Sequence, residues 1–126
     1  MARVVRGSLA LLALASSGVL LSACGSGGAV GQVRESCHFV KQAIVLQKES
    51  EVKGVSTARA SQLQAQAIGE LLKAEPYAAR ATSADGSWNP LMTTIGEAQR
   101  VSIDELIPSL QQICQVADSN SPYLGS

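Results

Sequence analysis

The sequence predicts an all-α protein, a small antiparallel bundle of three to four helices with a disulfide as its staple. Two observations carry that prediction. Apolar residues recur at helical spacing in successive segments, and no segment alternates apolar with polar residues as a half-buried strand does. Aromatic residues make up 3% of the 126 positions, too few for the aromatic runs that favour strands.

The first helix is expected over Val33 to Val52. Val33, Cys37, Val40 and Ile44 fall on one stripe, which Phe39, Ala43 and Leu46 widen. Lys41, Lys48 and Glu49 belong on the wet side, and Gly54 marks the stop. Ser56 or Thr57 can cap a second helix whose apolar face is Ala60, Leu63, Ala67, Leu71 and Ala74. Ile68 and Leu72 lie beside that face. Ala65 and Gly69 form a small-x-x-x-small pair, which marks close packing inside the domain, mere Ala-rich composition, or a dimer face. Pro76 is expected to end or kink this helix. Ser83 to Ser87 then read as a turn, and Asn89-Pro90 as N-cap and first helical residue.

A last helical region runs from Pro90 to Ala117 on the stripe Met92, Ile95, Ile103, Leu106, Leu110 and Ile113. Pro108 inside it must kink or split the helix. Ser102 and Glu105 have capping-box spacing, which allows a fresh start near Ser102. The polar segment from 119 to 126 is expected to fray.

The N-terminus is organised differently. Arg3 and Arg6 precede an uncharged stretch rich in Leu, Ala and Val from Gly7 to Leu21. It is too short for a comfortable membrane span and suits the apolar region of a secretory signal. The stretch closes on Leu21-Ser22-Ala23-Cys24, which resembles the lipobox of bacterial lipoproteins. That resemblance covers residues 1–24. It implies that residues 1–23 are removed as a signal peptide and that Cys24 becomes the diacylated first residue. The protein would then be lipid-anchored on the extracytoplasmic face of the cell membrane. Two or more acyl chains anchor a protein stably where one does not. The Ala-, Val- and Arg-rich usage resembles that of small actinobacterial envelope lipoproteins. Residues 24–31 read as the lipidated cysteine and a Gly-rich flexible tether spanning about 15 Å, and residues 32–118 as the helical domain.

Secretion with Cys24 acylated leaves Cys37 and Cys114 as an even pair in an oxidising compartment, so a disulfide between them is expected. Free thiols or intermolecular bridges are the alternatives. Bridged cysteines need Cα atoms within about 7 Å. In an up-down-up bundle the start of the first helix and the end of the third lie at opposite ends. The bridge therefore calls for a fourth pass, supplied either by residues 76–87 running back along the bundle or by a break near Pro108.

Composition and side chains restrict the function. Of ten basic residues Arg3 and Arg6 lie in the signal, so eight face ten carboxylates beyond it, a net charge of −2. That balance offers no basic patch for nucleic acid. The single histidine, His38, is adjacent to Cys37 on a helix, so the two point in different directions. No catalytic constellation, cofactor or metal site is expected: the acidic pairs Asp104-Glu105 and Glu49-x-Glu51 read as solvated helix faces. Trp88, with Tyr77, is the candidate partner-binding site, because Trp is enriched at binding hot spots. The alternative is that Trp88 folds down as a hydrophobic staple on the following helix. Pro122-Tyr123-Leu124 is a weaker apolar tag. The function expected is that of a non-catalytic envelope lipoprotein binding another protein at the membrane surface. The alternative is a carrier or sensor of an apolar small molecule, held among Leu63, Leu71, Ile95 and Leu106.

Overall fold

A computed structural model describes residues 28–123 of the chain. The expected signal at residues 1–23, Cys24 and the last three residues lie outside the described part. Four α-helices account for the architecture: α1 (Gly28–Ser50), α2 (Thr57–Ala84), α3 (Asn89–Gly96) and α4 (Ile103–Asp118). Short 3-10 turns at Gly86–Trp88 and Glu97–Gln99 flank α3. The described residues contain no strand.

α1 and α2 form the longest pairing. Val33, Cys37, Val40, Ala43 and Ile44 of α1 are buried against Leu63, Ala67, Leu71, Ala74, Ala78 and Ala81 of α2. Most of the α2 contribution is alanine, so the two backbones can approach closely. The Ser36 hydroxyl crosses the seam and donates to the Ala74 carbonyl at 3.0 Å. A hydrogen bond of this kind contributes about 1 kcal/mol net, and leaving its buried groups unpaired costs more. Gly54 takes φ +94° between the two helices, a conformation open to glycine at little cost. The Ser56 hydroxyl then accepts from the Arg59 amide at 3.2 Å and caps α2.

α1 starts earlier than expected. Residues Gly28 to Gly31, read from their composition as tether, are helical. Each helical glycine costs about 1 kcal/mol relative to alanine, and the packing of Ala29 against the core offsets part of that cost. Pro76 does not end α2. The helix runs through it for 28 residues. Pro76 is exposed, on the side of α2 away from the core, while Leu71, Ala74, Ala78 and Ala81 keep the buried stripe in register across it. Tertiary burial overrides the local breaking signal.

The fourth pass exists, but neither expected break supplies it. α3 and its 3-10 extension lead the chain back along the bundle, and the corner falls at residues 100–102. The Glu97 carbonyl accepts from both the Arg100 and Val101 amides there, and Ser102 adopts extended backbone before α4. Residues 90–117 are therefore two helices, divided at this corner and not at Pro108, which lies exposed within α4. Ser102 stands where the capping-box spacing placed it, yet its side chain makes no capping bond. α3 begins at Asn89, one residue before the expected start.

α4 runs antiparallel to α1. Near its start Asp104 accepts from the Gln47 amide at 2.8 Å, and at its end the Ala117 carbonyl accepts from Arg34 Nε at 2.9 Å. Between these ties Cys37 and Cys114 are joined by a disulfide, with Cα atoms 5.5 Å apart. The bond closes a loop of 77 residues, for which chain entropy suggests a stabilisation of about 4.5 kcal/mol.

Two glycines separate backbone need from mere composition. Gly54→Ala is expected to lower the unfolding free energy by about 1–2 kcal/mol, because it forces a side chain into the left-handed region. A Cβ at Gly69 meets nothing within 4 Å, so Gly69→Ala is expected to raise stability by up to about 1 kcal/mol. Urea denaturation followed by far-UV circular dichroism checks both signs.

Candidate functional site

Trp88 is 1% exposed. The sequence left two readings for it, a partner contact or a side chain folded down on the following helix, and the structure has it folded inward, in the core with Leu91 and Ile95. The cause lies in the preceding turn. The Asp85 carboxylate accepts from the Ser87 amide at 3.0 Å and caps the 3-10 turn that rolls Trp88 inward. The same bonds to Ser87 hold the Asp85 carboxyl below its ordinary 3.8.

Tyr77 lies elsewhere, half-buried at the α1–α2 seam. Its ring stacks on Phe39 at 5.7 Å, and the Arg80 guanidinium lies over it 5.0 Å from the ring centre. His38 is exposed, meets Phe39 edge-on at 5.5 Å, and shares a 3.0 Å hydrogen bond with Gln42. The Cys37 sulfur beside His38 is held in the disulfide. Tyr77 and Trp88 therefore do not form one site. Tyr77 belongs to a surface cluster of Phe39, His38 and Arg80.

Gln47 is the feature that sequence reading missed. It is 2% exposed, and its amide donates to Glu51 at 2.9 Å and to Asp104 at 2.8 Å. The signal was available: Gln47 falls three residues after Ile44 on the apolar stripe of α1, where a polar side chain must find partners. One member of each acidic pair, Glu51 and Asp104, is thus tied to a buried amide. Among the described residues no three His, Cys, Asp or Glu side chains converge as metal ligands would.

A cleft of about 130 Å³ adjoins Gln47, lined by Gln64, Ile68, Ala98, Val101 and Ile103. A shallower groove of about 290 Å³ runs between α1 and α4, bounded by Ile44, Val45, Gln111, Cys114 and Gln115. Neither involves the proposed carrier lining. Leu63, Leu71, Ile95 and Leu106 are each at most 8% exposed and serve as core.

The outward face of α2 is unusual in chemistry. Opposite its buried stripe lie Ser61, Ala65, Gly69, Leu72, Pro76 and Ala79 at spacings of three and four. A surface helix carries charged residues on that side as a rule, yet this ridge has none. Leu72 is 44% exposed on it. The Ala65–Gly69 pair sits here, facing away from the bundle, so it is not the close contact inside the domain that its spacing allowed.

Comparison with protein-family models, with curated proteins and with solved structures gives no match to this chain.

Two outcomes test this assignment of side chains. Trp88→Ala is expected to cost about 3–5 kcal/mol of stability, the range for a large aromatic removed from a core; a loss below about 0.5 kcal/mol, typical of surface sites, contradicts its burial. Asp85 has a depressed folded pKa, so its contribution is present above the unfolded value and is lost as pH falls through the folded one. The melting difference between wild type and Asp85→Ala should therefore be present at neutral pH and shrink below the ordinary carboxylate range.

Proposed function

We propose that this is a cell-envelope lipoprotein with a non-catalytic, protein-binding role, held on the extracytoplasmic face of the cell membrane through Cys24. The anchor reading rests on the resemblance of Leu21-Ser22-Ala23-Cys24 to a lipobox, with residues 1–23 as the signal. The protein-binding reading rests on the uncharged outward ridge of α2. Small residues at Ala65 and Gly69 let a second helix approach closely, and Leu72, one turn beyond Gly69, supplies an apolar anchor. The expected partner is an envelope protein that offers an α-helix with its own apolar stripe. This ridge takes the place of Trp88 as the proposed contact.

The two parts of the proposal are separately testable. Cys24→Ala is expected to move the protein from the membrane to the soluble fraction and to abolish metabolic labelling with a fatty-acid analogue; retention on the membrane contradicts the anchor. A photo-crosslinking side chain at Leu72 is expected to give one discrete protein adduct in intact cells. Gly69→Arg should suppress that adduct while leaving the far-UV spectrum unchanged. Equal adducts from Leu72 and from Glu105 on α4, or an adduct indifferent to Gly69→Arg, contradict the ridge.

A further inference from the structure

The two ends of the Cys37–Cys114 bridge have different surroundings. Cys37 is 0% exposed and lies between Val33 and Val40, both fully buried on the same stripe of α1. It borders neither of the clefts described above. Cys114 is 3% exposed and lines the groove of about 290 Å³ between α1 and α4. Gln111 and Asp118, one turn to either side of Cys114 on α4, line that groove too, as does the adjacent Gln115. The bridge is therefore approached from the Cys114 side.

That difference has a chemical consequence. In thiol–disulfide exchange a thiolate attacks one sulfur, and the other sulfur departs with the electron pair of the broken bond. Access decides which of the two is attacked. The groove leads to Cys114, so Cys37 is the sulfur that departs. Water occupies about 30 Å³ per molecule, so the groove has room for a small thiol. Its polar rim consists of Gln111, Gln115 and the ion pair of Lys41 with Asp118. With no net charge along that rim, a neutral thiol meets no electrostatic barrier.

We propose that Cys114 is the site of thiol–disulfide exchange in this protein, with a small thiolate as the incoming group and Cys37 as the resolving thiol. The incoming thiolate forms a bond to Cys114 Sγ. The bond between the two cysteines breaks, and Cys37 Sγ leaves as a thiolate, which takes up the proton that the incoming thiol gave to water. Cys37 stays beside Cys114, with its Cα 5.5 Å away in the closed bridge. Its attack on the mixed disulfide expels the small thiol and restores the bridge. Closure of the reduced protein passes through the same species: the Cys114 thiolate attacks a small disulfide through the groove, one thiol leaves, and Cys37 completes the staple. The fold thus gives two equivalent atoms of one bond different roles in making and keeping it. Neither the lipid anchor nor the α2 ridge enters this assignment.

The test exposes the full-length oxidised protein to mercaptoethanol, stops the reaction in acid, and caps the freed thiol with a maleimide. Peptide mass spectrometry reads which cysteine carries mercaptoethanol and which carries maleimide, with Cys24 mapped separately. Under native conditions the mixed disulfide is expected on Cys114 several-fold more often than on Cys37. In urea both sulfurs are open, and the preference is expected to vanish. Gln111→Trp, which places a bulky ring at the groove, should slow native exchange several-fold while leaving the urea midpoint unchanged. The wild-type map carries the test by itself if Gln111→Trp does not fold. An equal split under native conditions, or a preference for Cys37, overturns the assignment. Exchange that proceeds only as fast as the whole domain unfolds overturns it as well, because the groove then admits no thiol.

Discussion

The bond between Cys37 and Cys114 is the constraint around which this small domain is organised. It ties the first half of α1 to the last turns of α4, and it can close only if the chain makes an even number of passes. A domain of about a hundred residues buries a limited fraction of its apolar surface. A covalent link across a 77-residue loop adds stability that such a core does not supply alone. The polar ties beside it follow the same geometry. Arg34 reaches the carbonyls of Ala117 and Ser119, Lys41 pairs with Asp118, and Gln47 reaches Asp104. All of them join α1 to α4, the two helices that the sulfur bridge holds in register.

The other long seam, between α1 and α2, depends on smallness instead. Alanines at 67, 74, 78 and 81 are fully buried, and they contribute little hydrophobic area each. What they allow is close approach, as the Ser36 bond to a main-chain carbonyl of α2 illustrates. The bulkier side chains, Trp88, Leu91, Leu110 and Leu71, fill the space among α2, α3 and α4. The core thus combines small side chains along α2 with a few large ones. Trp88 is the largest of the fully buried side chains, so the sole tryptophan is structural here.

The helical class, the Ser56 cap, the Gly54 stop and the need for a fourth pass were legible from periodicity, turn residues and the cysteine positions. The helix breaks that were misread had one common cause. Pro76, Pro108 and the glycines at 28 and 31 are local breaking signals, and burial on the opposite helix face outweighs them. The true corner at residues 100–102 contains no proline and no glycine, and the sign it did give was the capping-box spacing of Ser102 and Glu105, just ahead of the α4 start at Ile103. For Trp88 the sequence left a surface contact and an inward fold both open, and the Asp85 cap on the preceding turn accompanies the inward one. Gln47 was overlooked although its position on the apolar stripe was visible. The uncharged α2 ridge was visible only in part, through Ala65 and Gly69, because its meaning depends on knowing which face is buried.

The account stands most directly on the claim that the disulfide holds α4 against α1. Equilibrium urea unfolding of the oxidised and the fully reduced protein, followed by far-UV circular dichroism and by the emission of Trp88, measures that claim. The account predicts that reduction lowers the unfolding free energy by about 2–5 kcal/mol, the range for loss of a native bridge in a small secreted domain, on both probes together. Coincident unfolding curves for the oxidised and reduced proteins would contradict it.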